Sequence, residues 1–241
     1  MKKFHLPLIC AVVMAIHAIA GGSAQANLVV NGGFELPSVG SPYQNFYTFA
    51  AAGDFTLSDP VTYYNTQQGG LTGWTINSGS VDIVVDYTSA QYGWPAFEPV
   101  QSLDLNGWSK GSISQTFATV KDTEYNLSFV YANNPYGTWP AGGPTATVTI
   151  DGVTTVLTHN TSVKNGNMDW KLFAVTFTAS SASTTLTFAG TSAGTGGIAI
   201  DAVDVSLTHP NVVTPEPTSF ALLGMGVFGA AVGAYRRRRS A

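Results

Sequence analysis

Cysteine is almost missing from this chain: its 241 residues hold one, Cys10. Cys10 follows bulky Ile9 inside an apolar stretch, with no small residue before it, which speaks against a lipoprotein anchor. From Asn27 onward there is no cysteine, so no disulfide stabilises that part, and a large core or a bound metal must do so. Charge is scarce too, at 10% of residues against about 25% in an average globular protein. Between residues 27 and 235 arginine is absent, and four lysines (Lys110, Lys121, Lys164, Lys171) face all fourteen acids, a net charge of −10. A surface of that sign repels phosphate backbones and excludes a nucleic-acid partner. It suits oxygen-loving cations such as Ca²⁺, or it simply keeps a Gly- and Thr-rich sheet protein soluble. Histidine is nearly absent as well: beyond residue 26 there are only His159 and His209. With no HExxH, no CxxC and no His cluster, a zinc or cysteine active site is excluded.

What is present is concentrated at the two ends. Lys2 and Lys3 precede an apolar stretch from Leu6 to Ala20, and Ala24-Gln25-Ala26 is an A-x-A cleavage site. Residues 1–26 therefore read as a secretory signal peptide, a substrate of the Sec translocon and signal peptidase. At the other end, Pro215-Glu216-Pro217 precedes an apolar run from Phe220 to Tyr235, followed by Arg236, Arg237, Arg238 and Arg239. As a helix that run spans about 24 Å, slightly short of a roughly 30 Å hydrocarbon core. Thr218 and Ser219 extend it, and the arginines snorkel and hold that end in the cytoplasm. The expected organisation is a signal peptide (1–26), one β domain (27–208), a linker (209–217), a transmembrane helix (218–235) and a basic tail (236–241). A permanent single-span anchor and a processed sorting tail both fit this composition. Gly224 to Gly229 matches GxGxxG, but no strand precedes it, so a dinucleotide site is excluded. Gly229 and Gly233 form a GxxxG pair suited to a membrane partner.

From Asn27 to about Thr208 the pattern is short β-branched and aromatic runs punctuated by Gly, Asn, Asp and Pro. Strands are expected at Leu28–Val30, Gly73–Ile76, Val81–Val85, Ser102–Leu105, Ser112–Phe117 and Glu124–Tyr131. Further strands are expected at Thr145–Ile150, Thr154–Thr158, Lys171–Thr178, Thr184–Phe188 and Ile198–Leu207. Apolar residues alternate cleanly through Tyr125–Tyr131 and Thr145–Ile150, and Asp151-Gly152 predicts a type I′ hairpin. This many short strands predict an all-β fold, a jelly-roll β-sandwich. Long loops are expected at residues 36–71, 86–100 and 133–143.

Two resemblances follow from these residues. The order Pro-Glu-Pro, short hydrophobic helix, arginine cluster resembles the PEP-CTERM sorting signal of Gram-negative bacteria, and the Pro-Glu-Pro favours sorting over permanent anchoring. That resemblance implies an exosortase as partner, transient anchoring in the inner membrane, and delivery to a cell surface or matrix rich in exopolysaccharide, as in biofilms. The domain opens with Asn27-Leu28-Val29-Val30-Asn31-Gly32-Gly33-Phe34-Glu35 and closes with Ile200-Asp201-Ala202-Val203-Asp204-Val205. Between them lie Gly73-Trp74-Thr75, Gln101 to Gly107 and Gly111 to Phe117. The pattern resembles the choice-of-anchor C and DUF642 group, within the galactose-binding-like superfamily. Ala202, where related modules usually have a second Asp, and the long insert before Gly73 depart from it. The resemblance implies a structural Ca²⁺ held by Glu35 and Asp201 with backbone carbonyls near Asn31 and Gly33, and Asp204 in the place of the missing acid. The alternative is that Glu35 and Asp201 only accept hydrogen bonds from turn amides.

Sugars offer C–H faces to aromatic rings and hydroxyls to amides and acids. Trp94, Trp108, Tyr136 and Trp139, beside Asn106, Asn133 and Asn134, are the expected polysaccharide-binding residues, with Trp74 in the core. Exposed aromatics also pack under loops. The Gly190–Gly194 match to GxSxG reads as a hairpin turn, since a strand and not a helix follows. Asp82, Asp86 and Glu98 are acids that could converge for glycoside hydrolysis, but nothing selects them. The leading expectation is non-catalytic binding of extracellular polysaccharide. The alternatives are a structural or adhesive matrix component and, third, a glycosidase.

Overall fold

A computed structural model describes residues 26–39, 46–51, 66–67, 70–88, 93–135, 142–160 and 167–208. The chain divides into two units, Met1–Thr208 and His209–Ala241. The expected transmembrane helix and tail lie in the second unit, and that unit, like most of the signal peptide, lies outside the described residues.

The described residues form strands β1 (Phe46–Ala50), β2 (Thr66–Gln67), β3 (Thr75–Ser78), β4 (Ser80–Val85), β5 (Tyr87–Thr88), β6 (Gly93–Trp94) and β7 (Gln101–Asp104). They continue with β8 (Ser112–Ala118), β9 (Glu124–Asn133), β10 (Thr145–Ile150), β11 (Val153–Thr158), β12 (Lys171–Thr178), β13 (Ser183–Gly190) and β14 (Ile198–Leu207). A seven-stranded sheet runs β12-β9-β14-β7-β4-β1-β2, a five-stranded sheet runs β11-β10-β13-β8-β3, and β5 and β6 pair alone. All pairs are antiparallel except β1 with β2. No helix occurs among the described residues, and the fold is the all-β sandwich expected from the sequence.

Alternation builds the core between the two sheets. Tyr125, Leu127 and Phe129 of β9 and Ala146, Val148 and Ile150 of β10 are buried while their neighbours face outward. Phe129 meets Phe188 of β13 edge-on at 5.0 Å, so one ring pair joins the layers. Trp74 is buried as expected and stacks on Phe34 at 5.6 Å. Asp151 and Gly152, at φ 47° and 78°, make the tight link between β10 and β11.

Four expectations need correction. Residues 86–100, expected as loop, hold β5 and β6. Leu28–Val30 is a turn segment, not a strand. Side chains replace the ladder there: Gln115 accepts from the Val30 N–H and donates to its carbonyl, and Asn27 Oδ1 accepts from the amides of Val29 and Val205. The stretch 36–71, expected as loop, contains β1 and β2. Gly190–Gly194 is not a hairpin turn, because β13 and β14 belong to different sheets. It crosses between the layers, with Ser192 buried and hydrogen-bonded to Thr145.

A corner of carboxylates and an acidic sheet face: the candidate functional site

The domain's first segment and its last strand meet at one corner. Glu35 Oε1 accepts hydrogen bonds from the amides of Val100 (3.0 Å) and Gln101 (2.9 Å). Asp201 Oδ2 accepts from the amides of Phe97 and Glu98, both at 2.9 Å, and Oδ1 from Ala202. Two of the three expected metal ligands, Glu35 and Asp201, therefore hold the same segment, 97–101, at different amides. Burial pushes the Asp201 carboxyl up to about 7 against those hydrogen bonds, and the charge of Glu98 adds to the rise. Ala202 sits at φ +52° beside a bulge in β14, and its amide is anchored on Asp201. The bare Cα of Gly33 faces the corner: a Cβ there would lie 3.8 Å from Glu98 Oε2 and 3.9 Å from Asp201 Oδ1. Asp204 lies beyond the bulge, opposite Ser128. Among the described residues no three His, Cys, Asp or Glu side chains gather as a metal cage. As arranged, the corner is an amide-capping device with three acids near Gly33.

A second polar cluster lies on the outer face of the seven-stranded sheet. Val81, Ile83, Leu103 and Leu105 point into the core, so the alternate residues Asp82 and Asp104 point outward. The register sets Asp82 of β4 directly opposite Asp104 of β7. Asp82 Oδ1 accepts from the Thr48 hydroxyl at 2.6 Å. Asp104 accepts from Asn134 Nδ2 (2.6 Å), the Asn106 amide (2.9 Å) and the Gly197 amide (3.1 Å). Burial pushes the Asp82 carboxyl up to about 7, the Thr48 hydrogen bond opposing it. Asp104 is raised well above the ordinary range, first by burial and then by the charge of Asp82. Gly107 closes over Asp82: a Cβ on it would come within 2.8 Å of Asp82 Oδ1 and 2.9 Å of Ser80 Oγ. The next residue, Trp108, is 43% exposed.

The expected sugar-binding residues divide. Trp94 is 2% exposed; it donates to Ser102 Oγ and packs with Val84, Ala132, Met168 and Ala199. Asn106 is fully buried and its amide nitrogen donates to the carbonyls of Ser192 and Gly194. Asn133 is buried opposite Ile198. Asn134 is half-buried and donates to Asp104, so of the seven Trp108 alone is both described and exposed, since Tyr136 and Trp139 lie outside the described residues, as do Pro215, Glu216, Pro217 and Arg236 to Arg239. Asp82 is set beside Asp104, and the Glu98 amide is bonded to Asp201. The Asp82–Asp104 pairing with Thr48 was not anticipated. Its signal was present, since each acid interrupts an apolar strand, in Val81-Asp82-Ile83 and Leu103-Asp104-Leu105.

The class defined by these features is an exported β-sandwich domain with a sorting tail. The family model described as a protein of unknown function, DUF642, matches residues 27–206, and the PEP-CTERM protein-sorting motif matches residues 213–239. The chain belongs to the DUF642 family and carries a PEP-CTERM tail. Halomucin of Haloquadratum walsbyi (strain DSM 16790 / HBSQ001) is 30% identical over 230 residues, covering 90% of this chain. The chain spans only 2% of the length of halomucin. Among solved structures, a family 61 carbohydrate-binding module in complex with β-1,4-galactotriose is 13% identical with a TM-score of 0.40, covering 76% of this chain and 99% of that one. A family 4 module is 17% identical with a TM-score of 0.36, covering 75% and 99%. The sorting motif marks a secreted protein, transiently anchored in the membrane, processed by an exosortase and exported to the surface.

Proposed function

We propose that the domain binds an extracellular polysaccharide without cleaving it, on the outer face of the seven-stranded sheet. The observation that carries this reading is the adjacency of an exposed aromatic and a polar floor. Trp108 offers a face for sugar C–H groups, and its neighbour Gly107 rests on Asp82, whose carboxylate is a hydrogen-bond acceptor for sugar hydroxyls. Delivery to a surface or matrix by the tail puts such a domain where exopolysaccharide is found, in a Gram-negative biofilm for instance. A glycan array probed with the full chain in detergent, calcium present, is the test. Binding to at least one polysaccharide, weakened by Trp108→Ala, is expected. No binding to any glycan overturns the reading and favours a structural matrix role.

Calcium is the second element of the proposal. Glu35, Glu98 and Asp201 approach Gly33 where the first segment meets the last strand, in a domain without disulfides, and their carboxylates are the hard oxygen ligands Ca²⁺ takes. A bound ion would tie the two ends of the domain. Melting with calcium and with chelator tests it: a higher midpoint with calcium is expected, and an unchanged midpoint overturns it.

A further inference from the structure

The outer face of the seven-stranded sheet carries Asp82 and Asp104 on facing strands. Resting on the polysaccharide reading above, we propose that its occupant is a glycan bearing free amines, whose ammonium groups face Asp82 with Asp104 one rung behind.

The face is rich in acceptors and poor in donors. Asp82 and Asp104 stand directly opposite each other on adjacent strands. Asn106 Oδ1 is buried without a hydrogen-bond partner among the described residues. It shares the bare Cα of Gly197 with Asp104 Oδ1, a Cβ there lying 2.6 Å from the first and 2.7 Å from the second. The Thr48 hydroxyl, the Asn134 amide and two backbone N–H groups are already spent on the two acids. Among the described residues, neither ion pair reaches these two acids: the pairs are Lys121–Asp122 and His159–Asp169. Lys110, at the end of the Trp108 loop, is exposed and pairs with neither acid.

Two facing carboxylates taken from water with no counter-charge are costly, and the cost is relieved by protonation or by an incoming cation. An ammonium brings a positive charge and three donors and no acceptor. A uronate or sulfated polymer brings more acceptors and the wrong sign, against a segment in which fourteen acids outnumber four lysines. Neutral hydroxyls supply donors but leave the charge uncompensated. An amine-bearing chain whose ring faces stack on Trp108 meets both needs.

Titration calorimetry on the full chain in detergent compares three probes: a de-N-acetylated chitin oligomer, its fully N-acetylated counterpart, and an oligogalacturonate. The expected result is that the amine oligomer binds about tenfold tighter than the acetylated one, a ratio typical of one close charge pair, and that the uronate does not bind. Asp82→Asn is expected to close most of that gap, while Asp122→Asn, which removes an exposed acid elsewhere, leaves it open. Equal affinity for the amine and acetylated oligomers, preference for the uronate, or a gap closed equally by Asp122→Asn overturns the proposal and leaves polysaccharide binding standing. Binding of no glycan removes both. If Asp82→Asn does not fold by circular dichroism, the ranking of the three probes on the unaltered chain decides.

Discussion

Glu35 and Asp201, 166 positions apart in the chain, cap four amides of one segment between them: Asp201 accepts from Phe97 and Glu98, Glu35 from Val100 and Gln101. Hydrogen bonds to an ionised group each contribute about 1.5 to 3 kcal/mol. Asp201→Ala is therefore expected to lower the unfolding free energy by about 3 kcal/mol. Urea denaturation measures it, and a loss below about 1 kcal/mol would show that the clasp is idle.

Trp94 and Trp108 should respond oppositely to truncation. Trp94→Ala empties a buried position and is expected to cost about 3 to 5 kcal/mol of stability. Trp108→Ala, on a ring 43% exposed, is expected to leave the melting midpoint within a few degrees and to weaken glycan binding. Calorimetric melting together with a glycan titration separates the two roles.

Stability should fall as pH rises through neutrality. A carboxyl whose folded pKa lies above its unfolded value keeps a proton that the unfolded chain releases. For Asp82, raised from 3.8 to about 7, stability is lost between those two values. The slope is at most about 1.4 kcal/mol per pH unit. Asp104 is raised further and extends the loss upward. His159 acts the other way. Burial lowers its pKa, so the stability of its neutral form is lost as pH falls below the ordinary histidine value. Urea midpoints from about pH 5 to about pH 8 are expected to decline in the unaltered chain and to decline less in Asp82→Asn. An unchanged slope in the variant contradicts the assignment.

Gly197 is where the crossover from β13 meets the acidic face. A Cβ there would come within 2.6 Å of Asn106 Oδ1 and 2.7 Å of Asp104 Oδ1, so Gly197→Ala must displace one of them. The expected loss is about 1 to 3 kcal/mol, read by chemical denaturation.

Replacement of Pro215, Glu216 and Pro217 by alanine is expected to leave the chain in the membrane at precursor size, because the exosortase no longer reads it. Immunoblots of membrane and surface fractions check this. Normal processing and release would contradict the sorting role.

Much of the architecture was legible because alternation is a local signal. β9, β10, β12 and β14 each show a run long enough for period two to stand out, and Asp151-Gly152 announces its hairpin. β1 was not legible: five residues amid a stretch of aromatics and small polar residues become a strand only because β4, some thirty residues later, pairs with them. Leu28–Val30 misled in the opposite direction, having strand composition but finding side-chain amides where a ladder would be.

Composition and order alone determined the sorting tail, the acidic character and the all-β class, because each depends on residue type and spacing within one short window. Tertiary structure decided which of two tryptophans is buried, which acids face one another and which segment Glu35 and Asp201 hold. Those relationships join residues tens to hundreds of positions apart, and only the register between strands and the closure of one sheet on the other brings them together.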